Sequence, residues 1–462
     1  MAIAGLYGRG IRRLPVELFT RTLALLEVQT LLTAARVCHE WRIIALDDPN
    51  FWRIIRIDNT SPRTLALADL QLRCSRARAV DLYIDYRQQD DLVESRVVPF
   101  ISKALSTCRW LQVKLESLYR LQVEKALSSP APFLETFSLL YAAEPLPDLH
   151  LRLPLSSELF AGTAPKLRSI RLHSIILPMK PIAAFLNAQE VFWVHAASTY
   201  QEEFPCYLFE FFPKLKRLRM SGGECYFRNA PLPTTVLQAF SRLEYFDLEF
   251  KEVAVPLFFR HLPIHDLPDV LVASPDEDAI YLTLDPLRSP FELSIYDFEP
   301  GTEFFISIKC GQSNRTRYFA ERYAYYVTGS KNASALFENN EIAAQLASFR
   351  IQASLWSMLN PWLFSLLGLP ILIVELDRWS PDAVALPVEP LACPNITTLV
   401  LQSKWDFVSV NAGDLLEFVD RITLKHVALH LRGVVIRGDT ASIAARFDSI
   451  EHLDLLPAVA LK

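Results

Sequence analysis

Apolar positions between Arg13 and Trp52 fall into two neighbouring helical stripes. Leu18, Thr22 and Leu25 recur at helical spacing, and Phe19, Leu23 and Leu26 repeat beside them. Leu14-Pro15 opens this helix, with proline in the first turn where its missing N–H costs nothing. A second helix is predicted over "VQTLLTAARVC", apolar at Leu31, Leu32, Ala35 and Val37. "HEWRIIAL" continues with Trp41, Ile44 and Ala45, and Asp47-Asp48-Pro49 then stops and restarts the chain ahead of Phe51 and Trp52. A helix facing one core needs one stripe. A unit of roughly 45 residues makes a marginal core by itself. Pattern alone leaves two readings of the surplus apolar surface: a cap on whatever follows, or an interface.

After Asp58 the pattern changes to a repeat. The template apolar-x-x-apolar-x-apolar appears as "LETFSL" (from Leu134), "LRSIRL" (Leu167), "LKRLRM" (Leu215), "LEYFDL" (Leu243), "LPILIV" (Leu369), "ITTLVL" (Ile396), "LKHVAL" (Leu424) and "IEHLDL" (Ile450). Weaker copies begin at Ala79, Cys108, Ala188, Ala279 and Leu346. Leu369 to Ile396 is 27 positions, and Ile396 to Leu424 is 28. A helix-like stretch and a proline precede several copies, as in "FPKLKRL", "APKLRSI" and "CPNITTL". One strand per repeat, stacked in parallel, is predicted, with alternate side chains entering the core. Residues 286–335 are less regular. There "FELSIYDFEPGTEFFISIKCG" alternates with period two around Glu299-Pro300-Gly301 and reads as an inserted β-hairpin-like element.

The charge-free run Ile351–Val374 is long enough to span a bilayer. Asn360-Pro361 and Gly368-Leu369-Pro370 break it, so a buried helix-turn-strand is expected and no membrane segment. The 462 residues carry a net charge of −5 with no long basic run, which excludes nucleic acid as the main partner. Seven scattered cysteines without C-x-x-C spacing predict reduced thiols, and the N-terminus does not read as a signal peptide. A soluble protein of the cytoplasm, the nucleus or both is expected.

Catalytic signals are missing: no G-x-S-x-G, no glycine-rich phosphate loop, no Cys/His nucleophile arrangement. His261 and His265 have i, i+4 spacing, but Pro263 lies between them. His426, His430 and His452 fall on outward positions of neighbouring repeats, where a metal- or pH-sensitive cluster is conceivable. Neither set meets a metal motif, so no catalytic residue, metal or cofactor is expected.

The opening segment resembles the F-box, the helical adaptor module of cullin-RING ubiquitin ligases. The residues carrying the resemblance are Leu14-Pro15-Val16-Glu17-Leu18, then Leu23, Leu26, Leu31 and Leu32, then Val37-Cys38-His39-Glu40-Trp41-Arg42, Asp48-Pro49 and Phe51-Trp52. Departures are Leu23, where the family prefers isoleucine, and the connection "EVQT", which lacks the usual Pro and Asp. The resemblance implies that Leu14, Pro15, Leu18, Leu23, Leu26, Leu31, Leu32, Val37, Trp41 and Trp52 supply core and contact surface for a Skp-type adaptor and, through it, a cullin.

The downstream repeat is similar to the leucine-rich-repeat class in period and in its L-x-x-L-x-L half. The usual Asn eight positions past the first Leu is missing, the slot being Ile175, Gly223, Lys251, Lys404 and Arg432 in five copies. The fold class expected is therefore α/β: a three-helix F-box over residues 11–58, then over 59–462 an irregular leucine-rich-repeat solenoid with a parallel sheet on its concave face. Such an architecture resembles F-box/leucine-rich-repeat substrate receptors of SCF-type ligases, and implies an unknown protein substrate. In this repeat the positions flanking the middle Leu face outward on the sheet. They place a basic set (Arg171, His173, Arg217, Arg219) and a set with acidic character (Tyr245, Asp247, Glu249) on the binding face. Recognition of a charged or phosphorylated segment stands beside a plainer reading, a solvated sheet face with local ion pairs.

Overall fold

The computed structural model describes residues 15–76, 78–142, 154–194, 202–222, 225–228, 231–250, 255–273, 275, 277–285, 287–299, 303–322, 340–356, 366–376, 384, 386–388, 391–403 and 408–453. It is a mixed α/β structure in which an N-terminal helical region is followed by mostly parallel β-sheet. The chain divides into two compact units, Met1–Thr199 with Pro205–Ser221, and Tyr200–Phe204 with Gly222–Lys462.

The first unit opens with helices α1 (Val16–Ala24), α2 (Val28–Ala34) and α3 (His39–Asp47), then a single turn over Pro49–Trp52. The Asp48 carboxylate accepts the Asn50 N–H at 2.9 Å and starts that turn, with Pro49 in its first position. Phe19, Leu23, Leu31, Ala34, Ala35, Ala45 and Trp52 form the helical core, with Leu26, Leu32 and Trp41 packed against it. Trp52 is fully buried, and its indole N–H donates to the Ala45 carbonyl at 2.9 Å. This anchor leads straight into the sheet, because strand β1 (Ile54–Ile57) begins just beyond it.

Strands β2 (Val80–Tyr86), β3 (Cys108–Glu116), β4 (Thr136–Ala142), β5 (Ser169–His173), β6 (Glu190–Val194) and β7 (Arg217–Ser221) follow β1 in chain order, each parallel to the one before. Crossovers include helices α4 (Pro62–Cys74), α5 (Val98–Leu105) and α6 (Arg120–Ala126), as parallel pairing requires. Alternation along the strands sets the two faces. Ile170 and Leu172 on β5, Val191 and Trp193 on β6, and Leu218 and Met220 on β7 are buried, while Arg171 and Arg219 are exposed. Beneath the buried face runs an aromatic stack, with Phe137 edge-on to Phe160 at 5.1 Å and Phe185 parallel to Phe212 at 5.9 Å.

The second unit contains β8 (Tyr245–Glu249), β9 (Asp269–Ala273), β10 (Phe291–Glu299), β11 (Glu303–Cys310), β12 (Thr316–Arg322), β13 (Leu346–Gln352), β14 (Ile371–Leu376), β15 (Thr398–Ser403), β16 (Val427–Arg432) and β17 (Phe447–Leu453). Their spatial order is β8-β9-β12-β11-β10-β13-β14-β15-β16-β17. Among the described residues only the β10–β11 and β11–β12 pairings are antiparallel. Strands β10 to β12 thus form a meander inserted between β9 and β13, where the alternating segment of the sequence suggested a hairpin.

Arg317 locks this insertion in place. It is fully buried, and its guanidinium donates to the carbonyls of His265, Leu267, Pro268, Thr283 and Thr316 at 3.1–3.3 Å. Helix α7 (Thr234–Phe240) precedes β8, and α8 (Val255–His261) supplies Phe258, which packs against Phe204, Phe227, Phe246 and Phe250.

Two sequence readings change. "AIYLTL" is not a strand but part of helix α9 (Glu277–Leu284). Its buried residues, Ala279, Ile280, Thr283 and Leu284, repeat at helical spacing, and Glu277 and Asp278 lie in its first turn where the helix dipole favours acids. The strand of that stretch is the earlier "DVLVA" of β9. The run Ile351–Val374 contains the end of β13, a short turn and most of β14, with 357–365 outside the described residues. Among the described residues no helix is long and apolar enough to cross a membrane.

Trp52→Ala is expected to lower stability by about 3–5 kcal/mol, the usual cost of emptying a fully buried tryptophan site. Denaturant unfolding of the two proteins checks this, and a change below about 1 kcal/mol would contradict Trp52 as the anchor of the helical core.

Candidate functional site

The helical region sorts its two stripes cleanly. Phe19 and Leu23 point inward at 7% and 2% exposure, whereas Leu18 is 49% and Leu25 86% exposed. Thr22, between those two leucines on the same stripe, turns its hydroxyl back to the Leu18 carbonyl at 2.9 Å, leaving the stripe's surface apolar. Val16, Val37 and Ile43 are also exposed.

The residues singled out from sequence therefore occupy three environments. Pro15, Leu18 and Val37 are exposed; Leu26, Leu32 and Trp41 are half-buried; Leu23, Leu31 and Trp52 are core. Leu14 lies outside the described residues. Trp41 packs at a tilt against Phe19, their rings 4.8 Å apart, and Phe19 bridges the core and the half-exposed surface. Val16 and Ile43 were not picked from sequence as contacts.

A second site is the open face of the first unit's sheet. Strand register lines its side chains into rows. One row runs Arg56, Tyr83, Gln112, Ser138, Arg171, Phe192 and Arg219 from β1 to β7. A flanking row runs Asp81, Trp110, Thr136, Ser169, Glu190 and Arg217, and another Asp85, Lys114, Leu140, His173, Val194 and Ser221. Arginines lie over rings: Arg56 over Tyr83 at 5.5 Å, Arg171 over Trp110 at 5.9 Å, and Arg219 over Phe192 at 4.5 Å. Three of the carboxylates are matched on the sheet itself. Asp81 accepts a bidentate pair from Arg109 at 2.6 and 3.0 Å, Asp85 pairs with Lys114 at 3.1 Å, and Glu190 lies 3.7 Å from Arg217. The structure brings Arg171, His173, Arg217 and Arg219 onto this one face. Arg56, Tyr83, Trp110 and Lys114 join them; the sequence copies at Ala79 and Cys108 carry three of these on the same outward positions.

In the second unit Tyr245 and Glu249 are half-buried, but Asp247 is only 3% exposed, with the Tyr245 hydroxyl 3.5 Å from its carboxylate. Leu271, its register neighbour on β9, is buried as well, so this part of the row is covered. His261 stacks on Phe227 at 4.7 Å, His265 lies beside Phe259, and His430 approaches Glu451 at 3.5 Å. Among the described residues no group of three or more His, Cys, Asp or Glu side chains is placed to hold a metal ion. An open cleft of about 600 Å³ between α7 and α8 is lined by residues including Arg242 and Arg260, both exposed.

His173 stands on the open face of the first unit's sheet, partly buried. Burial, with the nearby cations of Lys114, Arg171 and Arg219, pulls its imidazole from 6.5 down to about 4. An unfolded chain binds a proton there near pH 6.5, and the folded one resists until about pH 4. This site therefore costs no stability above pH 6.5 and lowers it progressively as pH falls from there towards 4. His173→Gln should lose less thermal stability than the parent between pH 7 and 4.5. Parallel melting curves check it, and equal losses would refute the depressed imidazole.

No curated protein matches the chain. The F-box-like family model matches residues 11–58, the segment that holds α1 to α3, the Trp52 anchor and β1; the match marks an F-box-like domain there, and such a domain suggests a role in binding the adaptor of a ubiquitin ligase.

Proposed function

We propose that this protein is a substrate-recognition subunit of an SCF-type cullin-RING ubiquitin ligase. The helical region docks a Skp-type adaptor, and the adaptor joins it to a cullin. The sheet-bearing remainder acts as an irregular leucine-rich-repeat array that holds a target protein. Chemistry falls to a separate ubiquitin-charged enzyme on the cullin, so the chain contributes proximity rather than catalytic groups. The compartment proposed is the cytoplasm, the nucleus or both.

The observation that carries this reading is the surplus stripe of α1. The helical core is already closed by Phe19, Leu23 and Trp52, yet Leu18 and Leu25 still face solvent at 49% and 86% exposure. Apolar surface displayed by a unit whose core is complete fits a partner. A second reading, a repeat scaffold whose helical region is a structural cap, draws on the junction. Cys74 of α4 packs against the helical core, Gln71 donates to the Ile54 carbonyl at 2.7 Å, and Arg76 pairs with Asp47 at 2.6 Å.

Capture of a purified adaptor–cullin pair separates the two. Leu18→Asp/Leu25→Asp should keep the fold, because both side chains are exposed, and weaken capture on the order of 100-fold, two leucines' worth of interface burial. Capture that is equal for parent and variant, or absent for a folded parent, would favour the structural cap.

A further inference from the structure

We infer that the open face of the first unit's sheet is a docking site for an extended, aspartate- and glutamate-rich segment of a partner protein, lying across the strands over Arg56, Arg171 and Arg219. This rests on the proposed receptor role and names the class of target segment. Charge complementarity is the first argument. Of the face's own carboxylates, Asp81, Asp85 and Glu190 each have a cation beside them within the sheet. Arg56 and Arg171 add positive charge beyond those pairs, held over the rings of Tyr83 and Trp110.

Geometry supplies the second argument. The three arginines share one register row that starts on β1 and ends on β7. Neighbouring strands are about 4.8 Å apart, so the row is a line of donors rather than a single pocket. An extended chain advances about 3.3 Å per residue, and its acidic side chains on one side can meet successive guanidiniums. A lone phosphate would engage one end of such a line. Single-stranded RNA fits less well. Bases need open ring faces, and here guanidiniums already lie over Tyr83, Trp110 and Phe192.

The test is fluorescence anisotropy with the full-length chain and four labelled twelve-mers: alternating Glu/Ser, a single phosphoserine in a Gly/Ser background, Lys/Ser, and oligo-uridine. The Glu/Ser peptide should bind most tightly and weaken with added salt. Arg171→Ala/Arg219→Ala should lose at least tenfold of that affinity, while Arg171→Lys/Arg219→Lys, which keeps charge but not planar forks, recovers part of it. Tighter binding of the phosphoserine peptide or oligo-uridine, no binding of Glu/Ser, or equal binding by the double-alanine variant would overturn the inference. Adaptor capture measured on the same samples keeps the two readings apart. Peptide binding without capture supports the acidic-segment site and removes the ligase role, whereas capture without peptide binding does the reverse.

Discussion

Parallel strand pairing is the constraint from which the rest of the first unit follows. A parallel neighbour cannot be reached by a tight turn, so each step from β1 to β7 needs a crossover. Those crossovers cover one face and bury Ile170, Val191 and Leu218 there at 2% exposure or less. Parallel sheets are usually covered on both faces. Here the second face remains open, and its side chains must tolerate water while standing in a regular lattice. The candidate recognition surface is a consequence of that asymmetry.

The same sheet solves the problem of the small helical region. Three short helices cannot build a large core, and this one is extended by continuity: the Trp52 anchor leads directly into β1, and α4 packs back with Cys74 against the helices. Support from below is what allows α1 to leave a whole stripe, Leu18 and Leu25, uncommitted to the fold. A self-sufficient three-helix unit would need that stripe for itself. The junction that favours a structural cap is thus also what makes an exposed interface affordable.

Much of this was legible from spacing. The L-x-x-L-x-L copies locate β2 to β8 and β13 to β16 because inward positions of a strand must be apolar at period two, whereas the copy from Ile450 overlaps only the end of β17 and Ile450 itself is exposed. The template failed at "AIYLTL", where six residues satisfy a strand and a helix equally and only the acidic first turn of α9 tells them apart. β1 and β9 went unread although "WRIIRI" (from Trp52) and "LPDVLV" (from Leu267) both satisfy the template, with Trp52, Ile55 and Ile57, and Leu267, Val270 and Val272, all buried. The missing repeat asparagine misled in another way. Polar pairing in the second unit occurs nearer the strand, where Gln402 donates to the Glu375 carboxylate at 3.3 Å and Gln352 lies in the same register row, all three at 6–7% exposure. The two helical stripes were visible, but which one faced inward was not. That choice depends on Trp52 and Ala45, which lie far along the chain from α1.

Aromatic side chains on an open sheet face are ordinarily a hazard, since adjacent exposed rings invite self-association. Tyr83, Trp110 and Phe192 avoid this by lying under guanidiniums. Arginine suits that role better than lysine. Its planar, weakly hydrated head covers a ring while its charge and remaining donors stay available at the edges. Ring and cation then constrain one another, so the guanidinium loses less conformational freedom when a partner arrives. The arrangement that keeps the face soluble when empty is therefore the one that prepares it for an anionic partner, and removing the rings should blunt recognition even with every charge retained.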